Sequence, residues 1–343
     1  MRETRAEGGP SPRVVVIGGG TGSYVALTGL CRKGLRPTAV VSVADSGGSS
    51  GRLRDEFGHL PPGDVRQCLV ALMPDEQQSL WLRQLFMYRF DRGEGLNGHT
   101  FGNLFLTALV EITGSLEQAI AAAADLLKIR GSVAPVTLGS STLCARLRDG
   151  TTLRGEASID QRSQAEVGID HVYLDPPVFV NPQAKQAILD ADVIVLGPGD
   201  LYTSVIPPLL VEGVVEALQA TRARRIYVVN IMTKRGESDG YRAMDFANVI
   251  REYLGGARLD GVIVNTGVPS ERVLARYGLA GQALVAWEGD VFPAGARIVL
   301  GDLVTSGMLV RHEPDRLASA IHDLWSEFEG RASGVGISAQ SEG

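Results

Sequence analysis

Short unbroken apolar runs recur along this chain, separated by longer stretches in which apolar residues return every three or four positions. Val14-Val15-Val16-Ile17, Ala39-Val40-Val41 and Val193-Ile194-Val195-Leu196 are such runs. An uninterrupted run offers water no polar face, so it suits a strand of a parallel sheet covered on both sides. Strands are expected at Arg13 to Ile17 and Arg36 to Val43, with a helix between them from about Ser23 to Lys33 that stops at Gly34. A turn at Leu60 to Gln67 opens a helix through Leu72, with Asp64 as its N-cap. Asp75 to Phe90 reads as a helix, and Leu80, Trp81, Leu85 and Tyr88 recur in it at helical spacing, a stripe expected to pack into the core. Further helices are expected from Leu104 to Ile112 and, behind the capping-box pair Ser115 and Gln118, through Lys128.

From Val133 to Pro177 the texture changes. Val136 to Leu147 and Thr151 to Ile159 read as strands around the hairpin signal Asp149-Gly150, with Val172 to Leu174 as the return. Helical Gln183 to Leu189 follows, and the α/β rhythm resumes with strands at Val193 to Leu196, Ile226 to Asn230 and Gly261 to Asn265. Helices are expected at Leu209 to Leu218 and Asp245 to Tyr253, and shorter strands at Ala283 to Trp287 and Arg297 to Leu300. Leu317, Ile321, Leu324, Trp325 and Phe328 form one stripe of a closing helix. The expected fold is α/β, Rossmann-like, three layers deep (α/β/α), with a mostly parallel sheet. One domain is expected over residues 13–329, with a β-rich excursion at about 133–177, a loose lead-in at 1–12 and a disordered tail at 330–343.

Composition narrows the partners. Of 343 residues, 44% are hydrophobic and 21% charged, as in ordinary globular proteins, and the net charge of −6 comes without a dense basic run. Nucleic acid and anionic membrane are disfavoured as main partners. No apolar run reaches the ~20 residues of a membrane span, and Met1 to Pro12 lacks the apolar core of a secretory signal. Cys31, Cys68 and Cys144 lie far apart and outside CxxC spacing, which fits a reducing cytoplasm and small buried hydrophobes.

Candidate chemistry gathers in the loops that leave the strands' carboxyl ends, where open parallel sheets bind ligands. Five are rich in glycine, threonine, serine or asparagine: Gly18–Ser23, Asp45–Arg54, Gly197–Ser204, Asn230–Gly240 and Asn265–Pro269. Gly19, Gly20, Thr21 and Gly22 in the first, with Gly48, Ser49, Ser50 and Arg52 in the second, are expected to offer main-chain N–H groups and a guanidinium to a diphosphate. The first loop misses the dinucleotide fingerprint at Ser23, which leaves NAD as a weak alternative, and no Gly-Lys-Ser/Thr of a P-loop follows it. Gly199, Tyr202, Thr203, Ser204, Asn230, Thr233 and Asn265 are candidate hydrogen-bonding groups for base, ribose or sugar. Asn103 follows His99 in a polar glycine-rich turn. Asp45 and Asp64 are the acids nearest the expected phosphates and the candidate ligands for magnesium. Tyr277, beside Arg272 and Arg276, is a candidate stacking ring, and Arg311 a candidate phosphate contact. No catalytic set emerges: the five histidines are scattered and no GxSxG elbow is present.

These motifs resemble a known family. Gly18-Gly19-Gly20-Thr21-Gly22, the run from Ala44 to Arg54, Pro61-Pro62-Gly63-Asp64-Val65-Arg66, Phe101 to Leu109, Gly197 to Ser204, Asn230-Ile231-Met232-Thr233 and Gly236 to Tyr241 are similar to the YvcK-type gluconeogenesis factors. Those belong to a superfamily that includes the CofD-type 2-phospholactate transferases of deazaflavin-cofactor synthesis, which use magnesium. The resemblance implies a cytoplasmic regulatory protein that binds a UDP-sugar, notably UDP-N-acetylglucosamine, with no obligatory cofactor and effects on cell shape, cell-wall precursor supply and gluconeogenic growth. It places Tyr277 and Arg311 among the ligand-binding positions. It leaves a magnesium-dependent transferase as the alternative, against which stands Asp45-Ser46 where the family has two successive acids. A homodimer and an unidentified regulatory partner complete the expectation.

Overall fold

The apolar runs become the strands of one parallel sheet. In the computed structural model, which describes residues 11–44, 46–162, 167–292 and 295–330, the chain begins with β1 (Val14–Gly18), α1 (Gly20–Arg32), β2 (Thr38–Val41), α2 (Gly48–Phe57) and α3 (Gly63–Ala71). It continues through α4 (Gln77–Met87), α5 (Phe101–Thr113), α6 (Leu116–Leu127) and β3 (Ser132–Pro135). A small antiparallel unit follows, made of β4 (Thr142–Leu147), β5 (Thr152–Arg154), α7 (Glu156–Asp160) and β6 (Ile169–Asp175). Next come α8 (Pro182–Asp190), β7 (Val193–Leu196), a π-helical turn at Leu201–Val205, α9 (Ile206–Leu209), α10 (Val214–Ala220) and β8 (Arg224–Val228). The last elements are α11 (Ala243–Tyr253), β9 (Gly261–Asn265), α12 (Glu271–Leu279), β10 (Arg297–Gly301) and α13 (Pro314–Phe328).

The main sheet has seven strands in the order β10-β9-β8-β7-β1-β2-β3, and all neighbours run parallel. This is the Rossmann order extended by one strand, with its direction of winding reversed between β1 and β7. Val15 pairs with Thr38 on one side and Ile194 on the other. Alternate residues of β1 feed two cores: Val15 and Ile17 face one helical layer, Val14 and Val16 the other. On the second face, α1 lies against α13 so closely that a Cβ on Gly29 would stand 2.0 Å from the Pro314 carbonyl oxygen. The three-stranded sheet β5-β4-β6 adds Leu143, Ala145, Leu147 and Val172 to the first core.

Several local expectations change. β3 is a main-sheet strand, so the antiparallel unit spans 142–175 rather than starting at 133. The Asp149-Gly150 hairpin forms, but the chain turns into α7 where the pattern suggested strand up to Ile159. Much of the expected Asp45–Arg54 loop is helix, because α2 starts at Gly48. Ala283 to Trp287 forms no strand of either sheet: it meets the loop after β8 through the isolated bridge between Met232 and Leu284, and its Ala286 carbonyl accepts from Ala243 N–H at 2.8 Å. Pro62, not Asp64, is the N-cap of α3. The stripe on α4 faces outward: Trp81 is 77% exposed. The lead-in through residue 10, the tail from 331 and Asp45 fall outside the described residues. Among the described residues no helix is long and apolar enough to cross a membrane.

Candidate functional site

A cleft of about 450 Å³ opens at the carboxyl ends of β1, β7 and β8, where the winding of the sheet reverses. The β1–α1 turn supplies Gly19, Gly20, Thr21 and Gly22, and the loop after β7 supplies Gly199, Asp200, Thr203 and Ser204. Asn230, Thr233 and Lys234 come from the loop after β8, Glu156 and Asp160 from α7, and Asp64 from α3. Tyr277, Gln282, Arg311 and His312 form the far wall.

The glycines of the first turn serve the protein's own packing. A Cβ on Gly22 would sit 2.0 Å from the Pro198 carbonyl oxygen, and one on Gly19 would sit 2.2 Å from Asp64 Oδ2. Gly20 is in the left-handed region at φ +65°. Its N–H donates to Asp64 Oδ1 at 2.9 Å, so a carboxylate already occupies one amide at the positive end of α1. Asn230 Oδ1 accepts from Gly199 N–H at 3.3 Å, which joins the β7 and β8 loops.

Lys234 staples three segments together. Its ammonium donates to Asp160 of α7, to Asp200 at 2.6 Å and to Glu237 at 2.9 Å. Glu237 is almost fully enclosed and also accepts from Tyr202 N–H at 3.3 Å and Thr203 Oγ1 at 3.2 Å. Burial pushes the Glu237 carboxyl above its ordinary value, while Lys234 pulls it back. Burial alone lowers the Lys234 pKa, but Glu237 and Asp200 more than reverse this and hold the ammonium charged. The carboxylate oxygens of Asp160, Asp200 and Glu237 converge within 4.8 Å, as metal ligands do, and here the ammonium fills the space between them.

On the far wall, a short ladder between 303–305 and 311–313 presents Arg311 and His312, closed by the Thr305 N–H to Arg311 carbonyl bond at 2.8 Å. Tyr277 Oη accepts from Val310 N–H at 2.9 Å, and the Arg276 guanidinium lies 5.4 Å from the Tyr277 ring centroid. Tyr277 and Arg311, separate candidates in the sequence, both line this wall. Arg311 is exposed and makes no ion pair among the described residues. His312 is buried, with no hydrogen-bond partner at Nε2 among the described residues; burial lowers its pKa to about 4 against a bond to the Val229 backbone. The ring is therefore neutral at pH 7. Among the described residues, four carboxylates line the cleft (Asp64, Glu156, Asp160 and Asp200) against two side-chain cations, Lys234 and Arg311.

Other candidates lie elsewhere. Ser49 and Ser50 are buried beside His99 and Asn103: Ser49 Oγ is 3.1 Å from His99 Nδ1 and accepts from Asn103 Nδ2 at 3.1 Å. Arg66 Nε donates to Asn103 Oδ1 at 2.8 Å, completing a polar cluster that does not line the cleft. Gly48 opens α2, and Arg52 donates to the Asn97 carbonyl at 2.8 Å. Tyr202 is in the core with its hydroxyl 3.0 Å from that of Tyr241. Asn265 folds its side chain onto its own turn, bonding Gly267 through both amide atoms and accepting from Leu303 N–H at 2.9 Å. Sequence reasoning missed Asp160, Asp200, Lys234 and His312. The spacing of Lys234 and Glu237, one helical turn apart in a polar loop, was the available signal.

A family model described as 2-phospho-L-lactate transferase CofD matches residues 14–304. A protein of Nostoc sp. is 46% identical over 314 residues, covering 90% of this chain and 68% of that protein. A Listeria innocua protein named gluconeogenesis factor is 40% identical over 312 residues, covering 90% of this chain and 94% of its own length. A crystal structure of a Bacillus halodurans protein superposes with a TM-score of 0.86 at 40% identity, over 91% of this chain and 100% of the other.

Proposed function

This chain belongs to the CofD family, in its gluconeogenesis-factor branch, and from that premise we propose that the cleft binds a nucleotide sugar of the UDP-N-acetylglucosamine type. The protein then acts as a cytoplasmic reporter of that ligand, coupling it to gluconeogenic growth, cell-wall precursor supply and cell shape. The observation that carries this reading is the meeting of Tyr277 and Arg311 across the cleft from the β1 and β7 turns, at the point where the sheet reverses. Arg311 offers an uncommitted fork to a diphosphate, and the hydroxyls and amides of Thr21, Ser204, Asn230 and Thr233 offer hydrogen bonds to ribose and sugar.

The carboxylates set a condition. A bare diphosphate entering beside Asp64, Glu156, Asp160 and Asp200 meets like charge, and a hard divalent cation relieves it by taking one or two carboxylates together with phosphate oxygens. Of the two acids that the sequence offered to magnesium, Asp64 lines the cleft and would hold it there, and the bound ion would supply charge neutralisation for the diphosphate. Thermal unfolding tests both parts. Saturating UDP-N-acetylglucosamine with magnesium, at a hundredfold excess over its dissociation constant, should add ~2.7 kcal/mol, and a chelator should abolish most of the gain. A shift no larger than that from an unrelated sugar refutes the ligand; equal shifts with and without metal refute the cation.

The same carboxylate-rich cleft favours a second reading, a magnesium-dependent 2-phospholactate transferase. Release of GMP from a guanylated phospholactate donor, dependent on a deazaflavin acceptor, is its discriminating measurement.

A further inference from the structure

A second pocket, of about 250 Å³, lies at the far end of α1 from the glycine turn. Thr28, Cys31 and Arg32 line it from one face of α1, Arg83 from α4, and Asp75 and Arg130 from the loops that lead into α4 and β3. Main-chain groups hold this frame in place. The Arg130 N–H donates to the Leu72 carbonyl at 2.7 Å, Cys31 Sγ donates to the Arg130 carbonyl at 3.3 Å, and Arg83 Nη2 donates to the Met73 carbonyl.

Charge inside the pocket is unequal. Three guanidiniums line it against one carboxylate, Asp75, which Arg32 Nε reaches at 2.9 Å and Arg83 Nη2 at 3.2 Å. Glu76 and Asp315 touch Arg130 at 3.2 Å and Arg32 at 3.6 Å, but neither acid lines the pocket and both are more than half exposed. Pairs so open to solvent hold a guanidinium weakly. The Cys31 thiol adds no negative charge, because burial pushes it up to about 11. Two lining residues also carry unspent polar atoms. Thr28 Oγ1 and Arg83 Nε are enclosed with no hydrogen-bond partner among the described residues, and Thr28 as a whole is 5% exposed. Helix capping does not account for the arginines, since the N–H groups of Lys33, Gly34 and Leu35 already take the carbonyls of Gly29, Cys31 and Leu30 respectively.

We propose that this pocket binds a small dianion of the phosphate class, as the free ion or as the phosphoryl group of a small ester, and that Asp75 occupies the anion's place when none is bound. Guanidiniums from three segments suit a tetrahedral oxyanion, because each presents its fork from a different direction. The volume is below that of a drug-sized site, which limits an ester to a few carbons. No residue of the pocket lines the cleft, so the inference is independent of the nucleotide-sugar reading.

Calorimetric titration of the full chain with inorganic phosphate, and separately with glycerol phosphate, is the test. Saturable binding at one site is expected, and the tighter of the two probes tells the free ion from the ester. Arg130→Gln should weaken it about tenfold, and Asp75→Asn, which removes the competing carboxylate, should tighten it about tenfold. Thr28→Val should weaken binding yet leave thermal unfolding without phosphate unchanged or higher, because the hydroxyl it removes has no partner. Arg311→Gln, in the cleft, should leave phosphate binding as it is. Absence of saturable binding with both probes overturns the proposal. So does binding that Arg311→Gln abolishes and Arg130→Gln spares, or an Asp75→Asn variant that binds no tighter than the parent.

Discussion

Lys234 and Glu237 show how much of this cleft rests on single side chains. Removing the ammonium by Lys234→Met leaves an enclosed carboxylate without its partner, and should cost about 3 kcal/mol in urea unfolding. Adding Glu237→Gln to that variant should restore much of the loss, because a neutral amide needs no counter-charge and can still accept from Tyr202 and Thr203. His312 gives the site a pH signature. Its folded pKa of about 4 lies below the ordinary 6.5, so between those values the unfolded chain binds the extra proton and the folded chain does not. Stability from this group is therefore complete above about pH 6.5 and is lost as pH falls toward 4, by about 3 kcal/mol in all. His312→Gln should flatten that part of the stability–pH curve. None of this was legible one residue at a time. The glycines and hydroxyls of the turns could be read directly, whereas the value of Lys234 depends on Asp160 and Asp200 arriving from distant segments.

At the scale of elements, the strands were legible because two-sided burial leaves a continuous apolar run, and β1, β7 and β9 match that signature closely. Periodicity served less well on α4. A stripe at helical spacing shows that a helix has an apolar face but not what covers it, and here the smaller side, Ser79 and Phe86, meets the core. The β1 turn carries its glycines for a reason that the local pattern does not show. Close approach of a ligand is one demand for glycine; the approach of Pro198 to Gly22 is another, and it is visible only once β1 and β7 are neighbours. Gly22→Ala should force the two loops apart and cost about 1–3 kcal/mol of stability, measured by thermal unfolding without ligand. A variant as stable as the parent would show that this seam between loops is soft.

Across the whole molecule, the order of strands was the least accessible property, since no local pattern says that β7 returns to lie beside β1. That pairing creates the reversal, the reversal creates the crevice, and the crevice collects residues from positions 19 to 312. The small antiparallel unit reaches the cleft through α7, whose Glu156 and Asp160 are walls of it, and Asp160 is also a partner of Lys234. The consequence is a tug-of-war. Any anionic guest competes with Asp160 for the same ammonium, so filling the crevice slackens the tether of the β5–α7 segment. Amides of residues 152–160 should then exchange faster in the presence of ligand.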